Sequence, residues 1–287
     1  MPAAALALVS TAALAHATWN LLAKTARGGR NHFVWLSAIL AAAFLVGPAI
    51  AVAIATPHQL TTETLGFVVG SGALHAAYFV LLQRAYAEGD LSVVYPLARG
   101  TGPLLSVAAA IAFLGERPAP LALAGAALII AAVLALGLGG ARKAAGGGSK
   151  PVLYALATGV TIAAYTLWDK EAVGVLGLSP ILYFCGGELV IAALLAPIVL
   201  RDRAGLRHSW RLDRRNAAGT AALASLSYVL VLYALSIAPV SYVAPAREVS
   251  ILIGAALGIQ VLDEGQRTRR LLSAAAIVAG VTALALG

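Results

Sequence analysis

Charged residues are scarce in this sequence. Only 11% of the 287 residues are Asp, Glu, Lys or Arg, whereas 61% are hydrophobic and the mean hydropathy is +0.89. Water-soluble domains carry about 25% charged residues, and a soluble core could not hide this much apolar surface. The composition therefore excludes a soluble globular protein and predicts an all-α membrane protein.

Cysteine and catalytic motifs are equally scarce. The single cysteine, Cys185, excludes an intramolecular disulfide, and its apolar surroundings indicate a packing residue. The sequence has no zinc or iron–sulfur spacing and no glycine-rich phosphate loop, so neither a metal nor a cofactor is expected. The apolar runs also lack a paired catalytic set, so the protein is not expected to be an enzyme. The net charge of +8 resides in short loops between apolar runs, which does not indicate nucleic-acid binding.

Long apolar runs make up most of the chain. A membrane span needs about 20 apolar residues, and the sequence predicts ten spans, at residues 3–23, 33–55, 65–86, 91–114, 120–139, 152–169, 179–200, 216–237, 241–261 and 271–286. The first run has no preceding basic segment and continues beyond its candidate cleavage site at 15–17. It is therefore interpreted as an uncleaved span rather than a signal peptide. A Gly-rich linker at 140–150 separates a first five-helix repeat, 1–139, from a second, 151–287.

Two motifs indicate that the halves repeat one another. YPLAR at 95–99 and APAR at 244–247 both lie inside apolar runs, and their arginines are 148 residues apart. A glutamate follows 17 residues after each arginine, as Glu116 in the first half and Glu264 in the second.

A further match strengthens the repeat. HATWN at 16–20 resembles YTLWD at 165–169, and the two tryptophans are 149 residues apart, so one single-residue insertion reconciles the two spacings. Because five spans begin and end on opposite sides of a bilayer, the second copy must insert upside down. The sequence thus predicts two inverted five-helix repeats, the usual architecture of secondary transporters.

Ionisable side chains inside the spans are the candidate functional groups, since they are costly at membrane depth. Arg99 and Arg247 either clamp the two halves through carboxylate or carbonyl groups, or bind a substrate carboxylate. Each follows a proline, so a broken helix is expected there. Glu188 either carries a coupling proton or pairs with an arginine, and Glu248 is the other coupling candidate. Asp169 lies near a span end and is expected to be solvated.

Polar and aromatic residues predict the cavity wall. His16, Trp19 and Asn20 share one helical face, which either meets the cavity or forms interhelical hydrogen bonds. His75 and Tyr78 have a similar spacing. Tyr and Trp are by default interfacial in membrane proteins, so not every aromatic residue is a candidate. The predicted substrate-binding residues are His16, Trp19, Asn20, His75, Tyr78, Tyr95, Arg99, Trp168, Tyr228 and Arg247.

These segments resemble the EamA-type transporters of the drug/metabolite transporter superfamily. The resemblance rests on residues 16–24, on 90–117 with its YPLAR and LGER motifs, and on the second-half copy that ends near Glu264. It implies a central cavity lined by spans 1, 3, 4, 6, 8 and 9. It also implies metabolite export, for which the YddG-type aromatic amino acid exporters are the nearest functional example.

The sequence and the resemblance together predict export of amino acids or related small metabolites across the bacterial inner membrane by alternating access. The alternative is efflux of hydrophobic cations or drugs, which requires an exposed carboxylate in an aromatic cavity. A receptor or scaffold would not need an inverted repeat. The expected partners are a small-molecule substrate and the lipid bilayer, and a monomer would suffice.

Both termini are predicted to be periplasmic. Sixteen of the 20 Lys and Arg residues lie in the loops after spans 1, 3, 5, 7 and 9, whereas Arg117 and Lys170 alone lie in the other loops. The positive-inside rule places the richer set in the cytoplasm, although many EamA-type transporters keep both termini inside. Cysteines introduced at the termini should react with a membrane-impermeant thiol reagent in intact cells, and protection of both would contradict this topology.

Overall fold

The fold is a bundle of long helices. The computed structural model describes residues 1–24, 26–27, 30–56, 61–88, 91–141, 149–251, 253 and 264–287. Its α-helices are α1 (Ala3–Lys24), α2 (Arg30–Ala55), α3 (Thr62–Glu88), α4 (Leu91–Phe113), α5 (Pro120–Ala141), α6 (Ser149–Lys170), α7 (Pro180–Val199), α8 (Arg203–Ile237), α9 (Val240–Ala246) and α10 (Glu264–Leu286). A π-helical turn, Glu171–Val175, continues from α6.

Six helices in the described part of the chain are long and apolar enough to cross a membrane, namely α1, α2, α3, α6, α7 and α8. Shorter apolar helical stretches occupy Leu97–Phe113, Pro120–Ala135 and Leu272–Leu286. Large apolar side chains point outward, including Ile54 at 75% and Phe113 at 81% exposure. Such surfaces are stable in hydrocarbon, so the bundle is that of a helical membrane protein.

The predicted bounds are wrong at α8. This helix begins at Arg203, whereas the sequence predicts a basic loop up to 215 and a span from 216. Arg and Leu are good helix formers, and Asp202 caps the helix by accepting a hydrogen bond from the Gly205 N–H at 2.8 Å. The end of the apolar run therefore marks the edge of the hydrocarbon and not the end of the helix.

The two proline-containing spans behave differently. α9 contains Pro245 and ends at Ala246, and residues 249–251 are helical again after a turn. The expected break is thus confirmed in the second half. In the first half the expectation is wrong, because α4 continues through Pro96. Residues 254–261 of the ninth predicted span lie outside the described residues, as does most of the linker at 140–150.

Most of the packing joins one half of the chain to the other. In the order of helices along each half, α1 corresponds to α6, α3 to α8 and α4 to α9. The contact of α1 with α8 therefore corresponds to that of α6 with α3, and the contact of α4 with α6 to that of α9 with α1. Each contact is therefore matched by the contact that results when the two halves are exchanged. α2 packs on its own equivalent α7, and α5 packs on its own equivalent α10.

Equivalent helices run antiparallel where they touch. The Trp35 indole N–H donates to the carbonyl of Ala192 at 3.0 Å, and the Cys185 thiol lies 3.8 Å from the carbonyl of Ala42. The earlier residue of α2 thus meets the later residue of α7. This is the arrangement of two repeats related by a twofold axis perpendicular to the helices.

Chain ends and loops separate onto two faces of the bundle. The Met1 amino group donates to the carbonyl of Leu284 at 3.2 Å, so the start of α1 and the end of α10 share one face. At the other end of α1, the Arg27 N–H donates to the Asp213 carboxylate at 2.9 Å. The basic loop after α1 and the basic start of α8 therefore share the opposite face.

The LGER motif holds the junction of α8 and α9. The Glu116 carboxylate accepts the backbone N–H groups of Val240 at 2.7 Å and Ser241 at 2.8 Å. The Lys170 ammonium donates to the carbonyls of Leu235 and Ala238 at the end of α8. A carboxylate at a helix N-terminus and an ammonium at a helix C-terminus both satisfy free backbone groups and the helix dipole. The first half thereby fixes where α9 begins.

The α5–α10 contact depends on glycine. A Cβ at Gly125 would lie 2.5 Å from the carbonyl of Gly280, and a Cβ at Gly280 would lie 2.7 Å from the carbonyl of Gly125. Small residues allow such close backbone approach in membrane proteins. The two halves therefore meet here backbone to backbone.

Gly125→Ala should destabilise the protein, because the added methyl group meets rigid backbone. We expect a loss on the order of 1–3 kcal/mol, measured as a lower midpoint of thermal unfolding in detergent. Gly66→Ala is the matched control, since a Cβ at Gly66 has nothing within 4 Å. Equal midpoints for the two variants would contradict this account of the interface.

Candidate functional site

A buried carboxylate lies at the centre of the site. Asp169, near the end of α6, is 0% exposed. Its Oδ1 accepts hydrogen bonds from the hydroxyls of Ser71 and Tyr183, both at 2.7 Å, and its Oδ2 accepts one from Tyr228 at 2.5 Å. The expectation of a solvated Asp169 is wrong, because three hydroxyl donors from α3, α7 and α8 replace water around it.

His75 adjoins this carboxylate. Its Nδ1 lies 2.9 Å from the carbonyl of Ser71, and since a carbonyl only accepts, Nδ1 carries the proton. In the neutral ring Nε2 is then an acceptor, and it is buried with no hydrogen-bond partner among the described residues. The ring stacks on Tyr165 with centroids 4.1 Å apart. The imidazole is thus fixed in orientation with one nitrogen available.

Aromatic rings surround the pair. Tyr165 contacts Tyr78 edge-on at 5.8 Å and Tyr228 at 6.1 Å between centroids, and Tyr228 also packs on Phe184 at 5.5 Å. Of the predicted cavity residues, the structure brings together His75, Tyr78 and Tyr228. Tyr165 and Tyr183 complete this aromatic cluster and were not among the predicted site residues.

A small cavity opens beside the cluster. Its volume is about 10 Å³, close to the minimum that holds one water molecule. It is lined by Ser71, Gly72, His75, Tyr183, Phe184, Gly187, Glu188, Ile191 and Tyr228. Glu188, the predicted coupling residue, therefore shares a cavity with His75. A cavity of this size admits no metabolite, so the structure represents a closed form of the site.

Arg99 is paired with the other half of the chain. Its Nε donates to Glu248 Oε2 and its Nη2 lies close to Glu248 Oε1, both at 3.1 Å, while Nη2 also donates to Ser250 at 3.3 Å. Arg99 is 5% exposed and Glu248 3%. This is the geometry of a clamp between the halves, the first of the two predicted alternatives for the arginines.

The pairing also corrects the alignment of the repeats. Arg99 and Glu248 are 149 residues apart, the same separation as Trp19 and Trp168 or as Pro96 and Pro245. Glu248, and not Arg247, is therefore the equivalent of Arg99, and no single-residue insertion is needed. The spacing of 148 arises because both motifs contain an arginine, at positions that are not equivalent.

Arg247 faces the aromatic cluster. Its guanidinium carbon lies 5.5 Å from the centroid of the Tyr228 ring, within the range of a cation–π contact. It is half-buried and makes no ion pair with the residues that the structure describes. Tyr228 consequently has a guanidinium against its ring and the Asp169 carboxylate at its hydroxyl.

The remaining predicted residues make other contacts. His16 and Trp19 contact each other edge-on at 4.9 Å, and the Asn20 amide donates to the His16 carbonyl at 2.8 Å, which confirms their shared face on α1. The Trp168 indole donates to the Phe67 carbonyl at 2.9 Å and is 37% exposed. Tyr95 belongs to α4, but its side chain lies outside what the structure describes.

Within the described residues, no group of three or more His, Cys, Asp and Glu side chains comes close enough together to hold an ion.

Comparison with known proteins agrees with this architecture. The EamA-like transporter family matches residues 3–138 and again residues 149–286. The chain belongs to the EamA-like transporter family. It is therefore a multi-pass membrane protein built from two EamA repeats, and its family indicates transport of small molecules rather than catalysis.

A solved structure extends the comparison to the fold. A crystal structure of a protein with 19% sequence identity superposes with a TM-score of 0.73 over 100% of this chain and 99% of that chain. At this identity the likeness shows the shared fold alone. Among curated proteins, none matches the sequence.

The Arg99–Glu248 pair gives a testable energetic consequence. Glu248→Leu should destabilise the protein by about 3–5 kcal/mol, because it leaves a buried guanidinium without a counter-charge. The double variant Arg99→Met with Glu248→Leu should regain most of that loss, since apolar residues of similar size often replace a buried pair without penalty. Thermal unfolding in detergent measures both. A double variant no more stable than Glu248→Leu would refute the clamp.

Proposed function

We propose that this EamA-family protein is a secondary transporter that exports amino acids or related small metabolites across the bacterial inner membrane. It works by alternating access of two inverted five-helix halves, with ten spans in all. The nearest functional example is the YddG-type amino acid exporter, on the resemblance noted above. The family match supports small-molecule transport, and the antiparallel contacts between equivalent helices support the inverted arrangement.

The observation that carries the substrate class is the environment of Tyr228. Its hydroxyl donates to the Asp169 carboxylate and its ring lies against the Arg247 guanidinium. One aromatic side chain thus separates a fixed negative charge from a fixed positive charge. A zwitterion requires both signs a few ångströms apart, with the substrate carboxylate on Arg247 and the ammonium towards the acidic side.

The small volume of the cavity supports alternating access. Metabolite pockets have volumes of about 300–1,000 Å³, against about 10 Å³ here, so helices must separate before substrate enters. The cavity lies between α3, α7 and α8, and α3 belongs to one half whereas α7 and α8 belong to the other. Rocking of the halves would open it from either side.

We assign the coupling of transport to proton movement to Glu188 in preference to Glu248. Glu188 lines the cavity, where it can exchange a proton as the cavity opens. Glu248 is engaged by Arg99 at both carboxylate oxygens, so its protonation would break the clamp. The two predicted coupling residues therefore have different surroundings and different roles in this proposal.

One observation favours the alternative substrate class. Glu188 and Asp169 place two carboxylates beside aromatic rings around the cavity, a combination that suits a hydrophobic cation. Arg247 at the same site opposes a cation, which is why the zwitterion is preferred.

Transport by the purified protein tests the proposal. Proteoliposomes should accumulate at least one amino acid from a labelled panel, and Arg247→Gln should lower its transport at least tenfold, because the substrate carboxylate loses its partner. Arg201→Gln is the matched control, since Arg201 is exposed outside the bundle. Transport of no amino acid would refute the substrate class.

A second variant separates the two classes. Glu188→Gln should impair coupled amino acid export. If it instead abolished efflux of cationic dyes while amino acid export persisted, the cation-efflux alternative would replace the proposal.

A further inference from the structure

α8 is longer than a membrane is thick. Its 35 residues extend about 52 Å at 1.5 Å per residue, whereas the hydrocarbon core is about 30 Å deep. About 22 Å of helix must lie at or beyond the headgroups. The apolar run occupies the C-terminal part of α8, so the projecting part is its basic start, residues 203–215. The exposed basic side chains there are Arg203, Arg207, His208, Arg211, Arg214 and Arg215.

This projecting segment is fixed in place. The buried Asp213 accepts the backbone N–H of Arg27 at 2.9 Å, and Asp202 lies 3.4 Å from the His32 ring while it caps the helix. Asp213 within the segment and Asp202 just before it are thus directed at the loop after α1 and at α2. The arginines are left as the charge on its outer surface.

A groove runs between this segment and α2. Its volume is about 310 Å³, and it is lined by Trp35, Leu36, Leu206, Arg207, Trp210 and Arg211. The Trp35 indole is held by its hydrogen bond to Ala192, so that wall is rigid. Trp210 is 44% exposed. Arg207, Trp210 and Arg211 are spaced i, i+3 and i+4 and therefore share one helical face.

The groove combines an apolar floor with two guanidinium groups at the depth of the headgroups. Guanidinium binds phosphate oxygens bidentately, tryptophan prefers the headgroup level, and basic pockets at a membrane surface bind anionic lipid headgroups. We propose that this groove, lined by Arg207, Trp210 and Arg211 against Trp35 and Leu36, is a binding site for an anionic phospholipid. The phosphate meets the two arginines, and the glycerol and upper acyl chain lie on the tryptophans and leucines.

Competing occupants fit less well. A zwitterionic lipid adds a choline cation beside two guanidinium groups. A second protein or a second copy of this chain needs about 800 Å² of surface from each partner, more than this narrow slot supplies. The site does not depend on the transport proposal. A bound lipid would nevertheless affect the proposed movement of the halves, because α2 and α8 belong to different halves and the lipid would contact both.

Native mass spectrometry of the full-length protein, released from nanodiscs of phosphatidylglycerol and phosphatidylcholine, tests the site. The unmodified protein should retain phosphatidylglycerol selectively. Arg207→Gln with Arg211→Gln should weaken that retention on the order of 30-fold, because both guanidinium contacts to the lipid phosphate are lost. Trp210→Ala should weaken it without changing the charge.

Arg201→Gln with Arg203→Gln is the matched control, because it removes the same charge from exposed positions that do not line the groove. We expect it to retain phosphatidylglycerol within about threefold of the unmodified protein, because neither residue contacts the lipid phosphate and exposed charges at a distance are screened by salt. Equal loss in both double variants would mean diffuse attraction and would overturn the site, as would equal retention of phosphatidylcholine. Displacement by inorganic phosphate alone would assign the groove to a free anion, and a dimer lost only in the groove variants would assign it to a second copy. All substituted residues are exposed, so a common elution volume and helical circular dichroism verify folding.

Discussion

The ion pair between Arg99 and Glu248 is the constraint on which the rest of the bundle depends. Each charge alone would be expensive at membrane depth, and the two form an ion pair across the halves of the chain. The buried charge of each half is therefore stabilised by the other half. The same dependence appears at Glu116 of the first half, whose carboxylate accepts the first backbone N–H groups of α9 in the second half.

The Asp169 carboxylate also depends partly on the other half of the chain, but its partners are neutral hydroxyl groups. Asp169 belongs to α6, yet one of its three hydroxyl partners, Ser71, comes from α3 in the first half, and the other two come from α7 and α8. Separation of the halves would leave a buried carboxylate with fewer donors, and water would have to replace them. In the proposed transport cycle, opening of the cavity would therefore bring water to Asp169. Substrate access would thereby be linked to the electrostatics of the site.

Much of this could be read from the sequence, and the failures have physical causes. Apolar runs predict where helices cross lipid, and most helix bounds agree within a few residues. The predicted start of α8 is wrong because the charged residues at 203–215 mark the edge of the hydrocarbon and not a loop. The prediction that Asp169 is solvated is wrong because its distance from a span end gives no information about hydrogen-bond donors on other helices. Its alignment with Asn20 of the HATWN motif was the available signal, since that face was already a cavity candidate.

The incorrect matching of Arg99 with Arg247 has the most general physical cause. A residue on the twofold axis of an internal repeat meets its own equivalent in the other half. Two arginines there would repel each other in a medium of low dielectric constant, so an exact repeat is unstable at that position. Arg99 and Glu248 resolve the conflict by taking opposite charges. The halves must therefore diverge where their contact is most intimate, and a search for identical residues will favour the neighbouring Arg247 instead. Buried positions of opposite charge at a constant spacing are thus a better guide to the axis of an inverted repeat than identical ones.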